Sequence, residues 1–358
     1  MAVEFHSLPV RVQPETDDSV AVTFEVPAEL RDTFRHVPGQ HLVLRANLDG
    51  EDVRRSYSIC TSRDCDELKV AIKRIPDGVF STWATTELAD GDTIDAMAPI
   101  GEFGYQPDPS TVGSYAAFAA GSGITPVLSI LTSILETEPR SRCALVYGNR
   151  RVGSIMFLEE LEGLKNRYPD RFQVVHILSR EPHEIPLFEG RIDAAKIRTL
   201  AGSLLPVADV DGWFLCGPLD MVETARETLA ELGVADDRIN YELFFDERIE
   251  VVPEADRGEG SLTLTVTIDG RSSTVPVDPD GPSLLDYARS VRSEVPFACK
   301  GGMCATCKAK VTEGEVTMEK NYALTDEELA EGFVLTCQSH LTDTDVVLNY
   351  DVHGGVGR

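Results

Sequence analysis

Tyr115-Ala-Ala-Phe-Ala-Ala-Gly121-Ser-Gly123-Ile-Thr125-Pro126 passes from an apolar run, through a glycine turn, into a helix-like stretch. A buried strand feeding a Gly-rich turn and a helix is the opening unit of an α/β sheet. The reading puts Thr125 at the N-cap and Pro126 at the first helical position, so that the loop amides would face a phosphate. Pro126 breaks the G-x-G-x-x-G dinucleotide fingerprint, and an ordinary Gly-rich turn in a sheet reads equally well from these residues alone. Downstream, strand-like Cys143–Tyr147, Phe172–Leu178 and Gly212–Cys216 alternate with helix-like 126–135, 156–167 and 221–232. The rhythm predicts a doubly wound parallel α/β sheet over residues 110–245, with Cys216-Gly217-Pro218 closing its last strand.

Outward from that core the pattern changes twice. Residues 1–109 hold short β-like runs (Val20–Val26, His41–Arg45, Glu67–Lys73) punctuated by Pro38-Gly39, Asp49-Gly50, Asp77-Gly78 and Asp90-Gly91, which predicts an antiparallel β-barrel. Residues 246–260 have the acidic Pro- and Gly-containing composition of a linker. Residues 261–358 begin with a hairpin pattern, Ser261–Ile268 and Ser273–Val277 around Asp269-Gly270, and continue with a short helix at Ser283–Val291.

With 33 Lys+Arg against 60 Asp+Glu, the 358-residue chain carries a net charge of −27. That argues against a nucleic-acid binder or a binder of anionic membranes, whose phosphates would repel it. The start, Met1–His6, does not read as a signal peptide, and no apolar run reaches 18 residues, so the expected compartment is a reducing cytoplasm. Clustered cysteines there point to metal or redox chemistry.

Such a cluster exists. Cys299-Lys-Gly-Gly-Met-Cys304-Ala-Thr-Cys307 with Cys337 is C-x4-C-x2-C-x29-C, the plant-type spacing for a [2Fe–2S] cluster. Three thiolates in one loop would wrap the iron pair and the fourth would arrive from elsewhere in the fold. Gly301 and Gly302 would let backbone amides approach the sulfurs. A zinc ribbon would show two C-x2-C knuckles, and disulfides conflict with the compartment. The other four cysteines show no grouping.

Further groups lie upstream. Arg55-Ser-Tyr57-Ser58 could hold a pyrophosphate, pack on an aromatic ring and offer a hydroxyl, or simply belong to a barrel strand. Lys73 and Gly78-Val-Phe80-Ser81-Thr-Trp83 join a cation to a turn entering a helix. Ser179-Arg180 follows a strand where a hydroxyl and a guanidinium could hold a 2′-phosphate. Lys300, Lys308 and Lys310, three of only eight lysines, surround the cysteine loop. They either offset a cluster's charge or form a docking patch for an acidic partner.

The order R-x-Y-S, G-x-G-x-T-P, C-G-P, then a plant-type cysteine loop resembles the ferredoxin–NADP reductase family with a C-terminal ferredoxin domain of β-grasp type. The resemblance implies that Arg55, Tyr57, Ser58, Lys73, Gly78, Phe80, Ser81 and Phe244 hold FAD. It implies that Gly121, Gly123, Thr125, Pro126, Ser179, Arg180, Gly217 and Pro218 hold NADPH. Ser58, Cys216 and Glu242 would flank the hydride-transfer centre, and Cys299, Cys304, Cys307 and Cys337 would ligate the cluster. FAD would accept a hydride pair and release single electrons to the cluster.

Phe103–Pro107, Lys165–Phe172, Val316–Tyr322 and Gly332–Gln338 further resemble the reductase subunits of phenylacetyl-CoA epoxidase complexes, which feed a diiron oxygenase. The implied partner is therefore an oxygenase. The alternatives are a Rieske-type aromatic or steroid hydroxylase as acceptor, or a non-enzymatic zinc-stabilised scaffold, against which the intact motifs argue.

Overall fold

A computed structural model describes residues 4–244, 262–292 and 294–352. The expected linker, 246–260, lies outside the described residues. The chain divides into two compact units, one built on the barrel and the α/β sheet, the other on the C-terminal sheet.

In the first unit, β1 (Phe5–Thr16), β2 (Ser19–Phe24), β3 (His41–Leu48), β4 (Glu51–Ser58), β5 (Leu68–Lys73), α1 (Val79–Thr86) and β6 (Thr93–Met97) come first. The strands order as β4-β3-β6-β1-β2-β5, and an antiparallel bridge from Ile59, just past β4, to Val70 on β5 closes the barrel. Inward residues such as Leu8, Val22, Leu42, Leu44, Val70 and Ile72 fill it.

Next come β7 (Ser114–Ala120), α2 (Ile124–Thr137), β8 (Arg142–Asn149), α3 (Leu158–Arg167), β9 (Phe172–Leu178), α4 (Ala194–Ser203), β10 (Gly212–Pro218), α5 (Leu219–Glu231) and β11 (Ile239–Phe244). The order β11-β10-β7-β8-β9 is wholly parallel, so the winding reverses between β7 and β10. Such a switch point opens a crevice beyond the strand ends. Two expectations are corrected here. Cys216-Gly217-Pro218 ends the penultimate strand, because β11 follows; its polar Asn240 and Glu242 hide it from a search for apolar runs. The N-cap of α2 is Gly123, with Thr125 and Pro126 already inside the first turn, because residues 121–123 form a tight 3₁₀ turn that starts the helix earlier. Pro126 is tolerated because the first-turn amides have no intrahelical acceptor.

Helix α2 is buried on nearly every side, between the sheet and the barrel. Its two serines face the barrel: Ser129 Oγ donates to the Thr61 carbonyl at 2.6 Å, and Ser133 Oγ accepts from the Arg63 amide at 3.0 Å. One core runs through both layers, joining Cys60, Ala71 and Phe103 to Phe214 and Cys216.

The second unit holds β12 (Leu262–Ile268), β13 (Arg271–Val277), α6 (Leu284–Val291), β14 (Lys308–Glu313), β15 (Val316–Met318), α7 (Asp326–Ala330), β16 (Phe333–Leu335), β17 (Ser339–Leu341) and β18 (Val346–Asn349). The sheet runs β13-β12-β18-β14-β16, with β15 and β17 paired separately. Asp269 and Gly270 turn the hairpin with φ of 52° and 67°, the left-handed pair that such a two-residue turn demands. Ser283 caps α6 by accepting from the Asp286 amide. The helix packs its apolar face on the sheet.

Candidate functional site

The first centre lies at the switch point. β10 and β11 pair so that Cys216 stands opposite Glu242, and on its other side Cys216 stands opposite Ala119 of β7. From the barrel, Ser58 Oγ donates to Glu242 Oε2 at 3.1 Å. Ser58, Cys216 and Glu242 are thus gathered by three elements distant in sequence. Cys216 is fully buried; burial, and then the Glu242 charge, push its thiol well up, so it stays protonated. His41 joins them, its Nδ1 3.7 Å from Glu242 Oε1. Sequence reasoning missed this histidine. Its one signal is a polar residue opening the otherwise apolar run His41-Leu-Val-Leu.

The glycine turn fits an anion. Gly121 has φ 55° and open space where a Cβ would stand, and α2 has neither a side-chain cap nor a charge in its first turn. Thr125 Oγ1 donates to the Ser122 carbonyl at 3.0 Å, which leaves the turn's amides uncapped. A Cβ on Gly123 would come 2.3 Å from the Cys216 carbonyl oxygen, so only glycine lets this turn close on β10. At the far end of the sheet, the Ser179 and Arg180 amides donate to the Asn149 and Arg150 carbonyls. This joins the ends of β8 and β9, where Arg150, Arg151 and Arg180 follow in the chain.

The barrel offers a second cradle. Tyr57, Phe80 and Trp83 pack in series, with centroids 5.6 and 5.3 Å apart. Helix α1 starts at Gly78 without a side-chain cap, and a Cβ there would sit 2.6 Å from Ser81 Oγ. Free first-turn amides beside an aromatic series suit a flavin nucleotide. Two expected contacts are otherwise engaged. Ser81 Oγ accepts from the Ile75 amide and donates to the Gly78 carbonyl, while Lys73 pairs with Asp18 at 3.2 Å. The Arg55 guanidinium donates to the Arg54 carbonyl, and Phe244 packs at the edge of the shared core.

In the second unit the four expected thiols come together as two pairs. Cys304 donates to Cys299, drawing the Cys299 thiol down to about 7 and holding Cys304 up. Cys307 donates to Cys337, raising the former and lowering the latter. No group of three or more His, Cys, Asp or Glu side chains among the described residues is set around a single metal ion. Two pairs suit two irons, each taking two thiolates. The Gly301 amide donates to Cys299 Sγ at 3.4 Å, the Met303 amide also bonds Cys299, and the Gly302 amide bonds Cys337. The loop curls through left-handed Lys300, Gly302 and Ala305. Lys300 and Lys308 are paired internally, with Asp286 at 2.9 Å and Glu328 at 2.6 Å. Their charge is therefore spent close to the loop.

Thr336 and Tyr350 also escaped sequence reasoning. Tyr350 Oη donates to Thr336 Oγ1 at 2.9 Å, which donates to the Cys307 carbonyl at 3.0 Å, next to Cys337.

Comparisons with known proteins agree with this division. Residues 11–105 match the oxidoreductase FAD-binding domain, 118–227 the oxidoreductase NAD-binding domain and 266–342 the 2Fe-2S iron-sulfur cluster binding domain. The chain is 44% identical over 351 residues to a component of the 1,2-phenylacetyl-CoA epoxidase of Escherichia coli (strain K12), covering 98% of this chain and 99% of that protein. It is 34% identical over 338 residues to the ferredoxin reductase component of 3-ketosteroid-9-alpha-monooxygenase from Rhodococcus rhodochrous, covering 92% of each. Among solved structures, phthalate dioxygenase reductase shares the fold with a TM-score of 0.60 at 22% identity, over 96% of this chain and 98% of that one.

Proposed function

Because the chain belongs to the family of oxygenase reductases that join an FAD-binding, an NAD-binding and a 2Fe-2S domain, we propose that it carries electrons from NADPH to the diiron phenylacetyl-CoA 1,2-epoxidase. It is an oxidoreductase, the reductase subunit of an oxygenase system, with FAD and a [2Fe–2S] cluster as its cofactors. FAD supplies the conversion between a hydride pair and the single electrons a cluster carries.

The chain's own residues bind and shield. Arg55, Tyr57, Phe80 and the start of α1 hold the flavin, and Ser58 presents its hydroxyl to it. The 121–126 turn, with Gly217 and Pro218, holds the dinucleotide at the switch point, while Ser179 and Arg180 take the 2′-phosphate. Cys216 lines the buried side and excludes water, with the half-buried Glu242 beside it. Cys299, Cys304, Cys307 and Cys337 hold the cluster in its two pairs. The working compartment is the cytoplasm; no described helix is long and apolar enough to cross a membrane.

The observation that carries the choice of partner is the 44% identity along 98% of this chain to an epoxidase component. The test is NADPH oxidation and epoxide formation with the purified oxygenase subunits of the epoxidase, with and without phenylacetyl-CoA. Substrate-dependent epoxide supports the proposal. Electron delivery only to a steroid or Rieske-type hydroxylase overturns it. Arg180→Ala should shift preference towards NADH if this residue reads the phosphate; an unchanged ratio removes that assignment.

A further inference from the structure

Tyr147 is a fully buried tyrosine on β8, opposite Ala119 of β7 and His176 of β9. Its ring lies beside the His176 ring, with centroids 5.9 Å apart, and shares a core with Ile124, Val127 and Phe157. A buried phenol needs a hydrogen-bond partner, and here the partner belongs to the glycine turn. The Tyr147 hydroxyl donates to the Gly121 carbonyl at 2.9 Å. Gly121, with φ 55°, opens the 121–123 turn, and its carbonyl also accepts from the Ile124 amide. In a trans peptide the N–H lies opposite the C=O. Holding the Gly121 carbonyl towards Tyr147 therefore aims the Ser122 amide the other way, outward from the sheet. The far end of the turn is fixed separately, by the close approach of Gly123 to the Cys216 carbonyl.

We propose that Tyr147 is a positioning residue for dinucleotide binding, its hydroxyl locking the Gly121–Ser122 peptide so that the turn's amides stand ready for a pyrophosphate. The inference rests on the reductase reading above and deepens it. Amides that are already ordered need not be ordered by the ligand, so the hydroxyl acts on affinity. It acts through the turn, which would serve the pyrophosphate common to NADP⁺ and NAD⁺. The 2′-phosphate falls to Ser179 and Arg180, so loss of the hydroxyl weakens both nucleotides by the same factor.

Tyr147→Phe removes the hydroxyl and keeps the ring. Titration of the oxidised, flavin-loaded full-length protein with NADP⁺ and with NAD⁺, followed by calorimetry, gives the two affinities. Both Kd values should rise about fivefold, the size of one net hydrogen bond, with their ratio unchanged. In NADPH–ferricyanide kinetics KM should rise while kcat and flavin content stay at wild-type values. Tyr115→Phe is the control. It removes a hydroxyl from the same sheet, bonded to Tyr105, and should lower the melting temperature without changing either Kd. Wild-type Kd values in Tyr147→Phe, or a loss confined to NADP⁺, overturn the proposal. Hydrogen exchange in peptides spanning residues 121–125 should also be faster in Tyr147→Phe, because the Ile124 amide bonds the same Gly121 carbonyl. Unchanged exchange overturns the proposal as well. Tyr147→Met, which also lacks the donor, carries both measurements if the phenylalanine variant fails to fold. A wild type that binds neither nucleotide would count against the reductase reading instead, and the exchange comparison would then decide for Tyr147.

Discussion

The α-carbon of Gly123 meets the end of β10 so closely that a methyl group placed on it would stand 2.3 Å from the carbonyl oxygen of Cys216. The obstacle is backbone, which cannot swing aside. Gly123→Ala should therefore push the 121–123 turn off the sheet at a cost of about 1–3 kcal/mol. KM for NADPH should rise while flavin stays bound. Thermal unfolding and flavin absorbance, measured beside NADPH titrations, check this; an alanine variant with wild-type KM would refute it.

Ser58 of β4 and Glu242 of β11, 184 residues apart in sequence, meet at 3.1 Å. Ser58→Ala or Glu242→Gln should lower the hydride-transfer rate by about 10²-fold, the lower end of what a positioned proton-handling group contributes. Stopped-flow flavin bleaching by NADPH reads the step directly. Rates within twofold of wild type would remove both residues from it.

The thiol pairing predicts a clean division of activities. Cys307→Ser or Cys337→Ser should abolish cluster absorbance and cytochrome c reduction while NADPH–ferricyanide activity survives, since, Arg55 apart, the residues of the flavin and dinucleotide cradles belong to the other unit. Chelation of iron from the wild type should do the same, and should lower the melting temperature of the ferredoxin unit because the cluster binds only its folded form. Loss of ferricyanide activity together with the cluster would contradict this.

Thr336 bonds both Tyr350 and the Cys307 carbonyl inside the ferredoxin core. Thr336→Val leaves both partners short of a bond at almost unchanged volume, and should destabilise that unit by about 1–3 kcal/mol. Denaturant unfolding followed by cluster absorbance measures it. A variant as stable as wild type would mean that water replaces the hydroxyl.

Burial lowers the pKa of His36 and of His176. The unfolded chain therefore binds protons from about pH 6.5 downward that the folded chain refuses. Stability contributed by these rings is complete above about pH 6.5 and falls as pH drops through that value towards the depressed folded values. Urea midpoints between pH 8 and pH 5 should show the decline, and His36→Gln with His176→Gln should flatten it.

Local chemistry alone determined a good deal of this protein. The spacing of Cys299, Cys304, Cys307 and Cys337 identifies the cluster because the first three ligands lie within one loop. Asp269-Gly270 announces its hairpin because only certain residues accept two successive left-handed conformations. The rhythm of apolar runs marks the parallel sheet because each strand is buried on both faces. Spacing cannot hold the rest. β11 has the polar side chains of a site rather than the apolar ones of a core, so no apolar run marks it. The start of α2 differs from its expected place because a tight turn can begin a helix before its expected cap.

The proposed hydride-transfer centre is a matter of tertiary structure alone. Ser58, Glu242 and His41 come from β4, β11 and β3, and no local pattern relates a serine to a carboxylate 184 residues away. Only closure of the barrel and the switch in sheet winding bring them within hydrogen-bonding and ion-pairing reach. The same holds for Thr336 and Tyr350 beside the cysteine loop, and for Lys73 and Ser81, whose polar groups the fold sets against Asp18, Ile75 and Gly78. Sequence names the groups a reductase needs, because their chemistry is carried by residue type. Which groups hydrogen-bond to one another depends on distances of about 3 Å that only the packed chain sets.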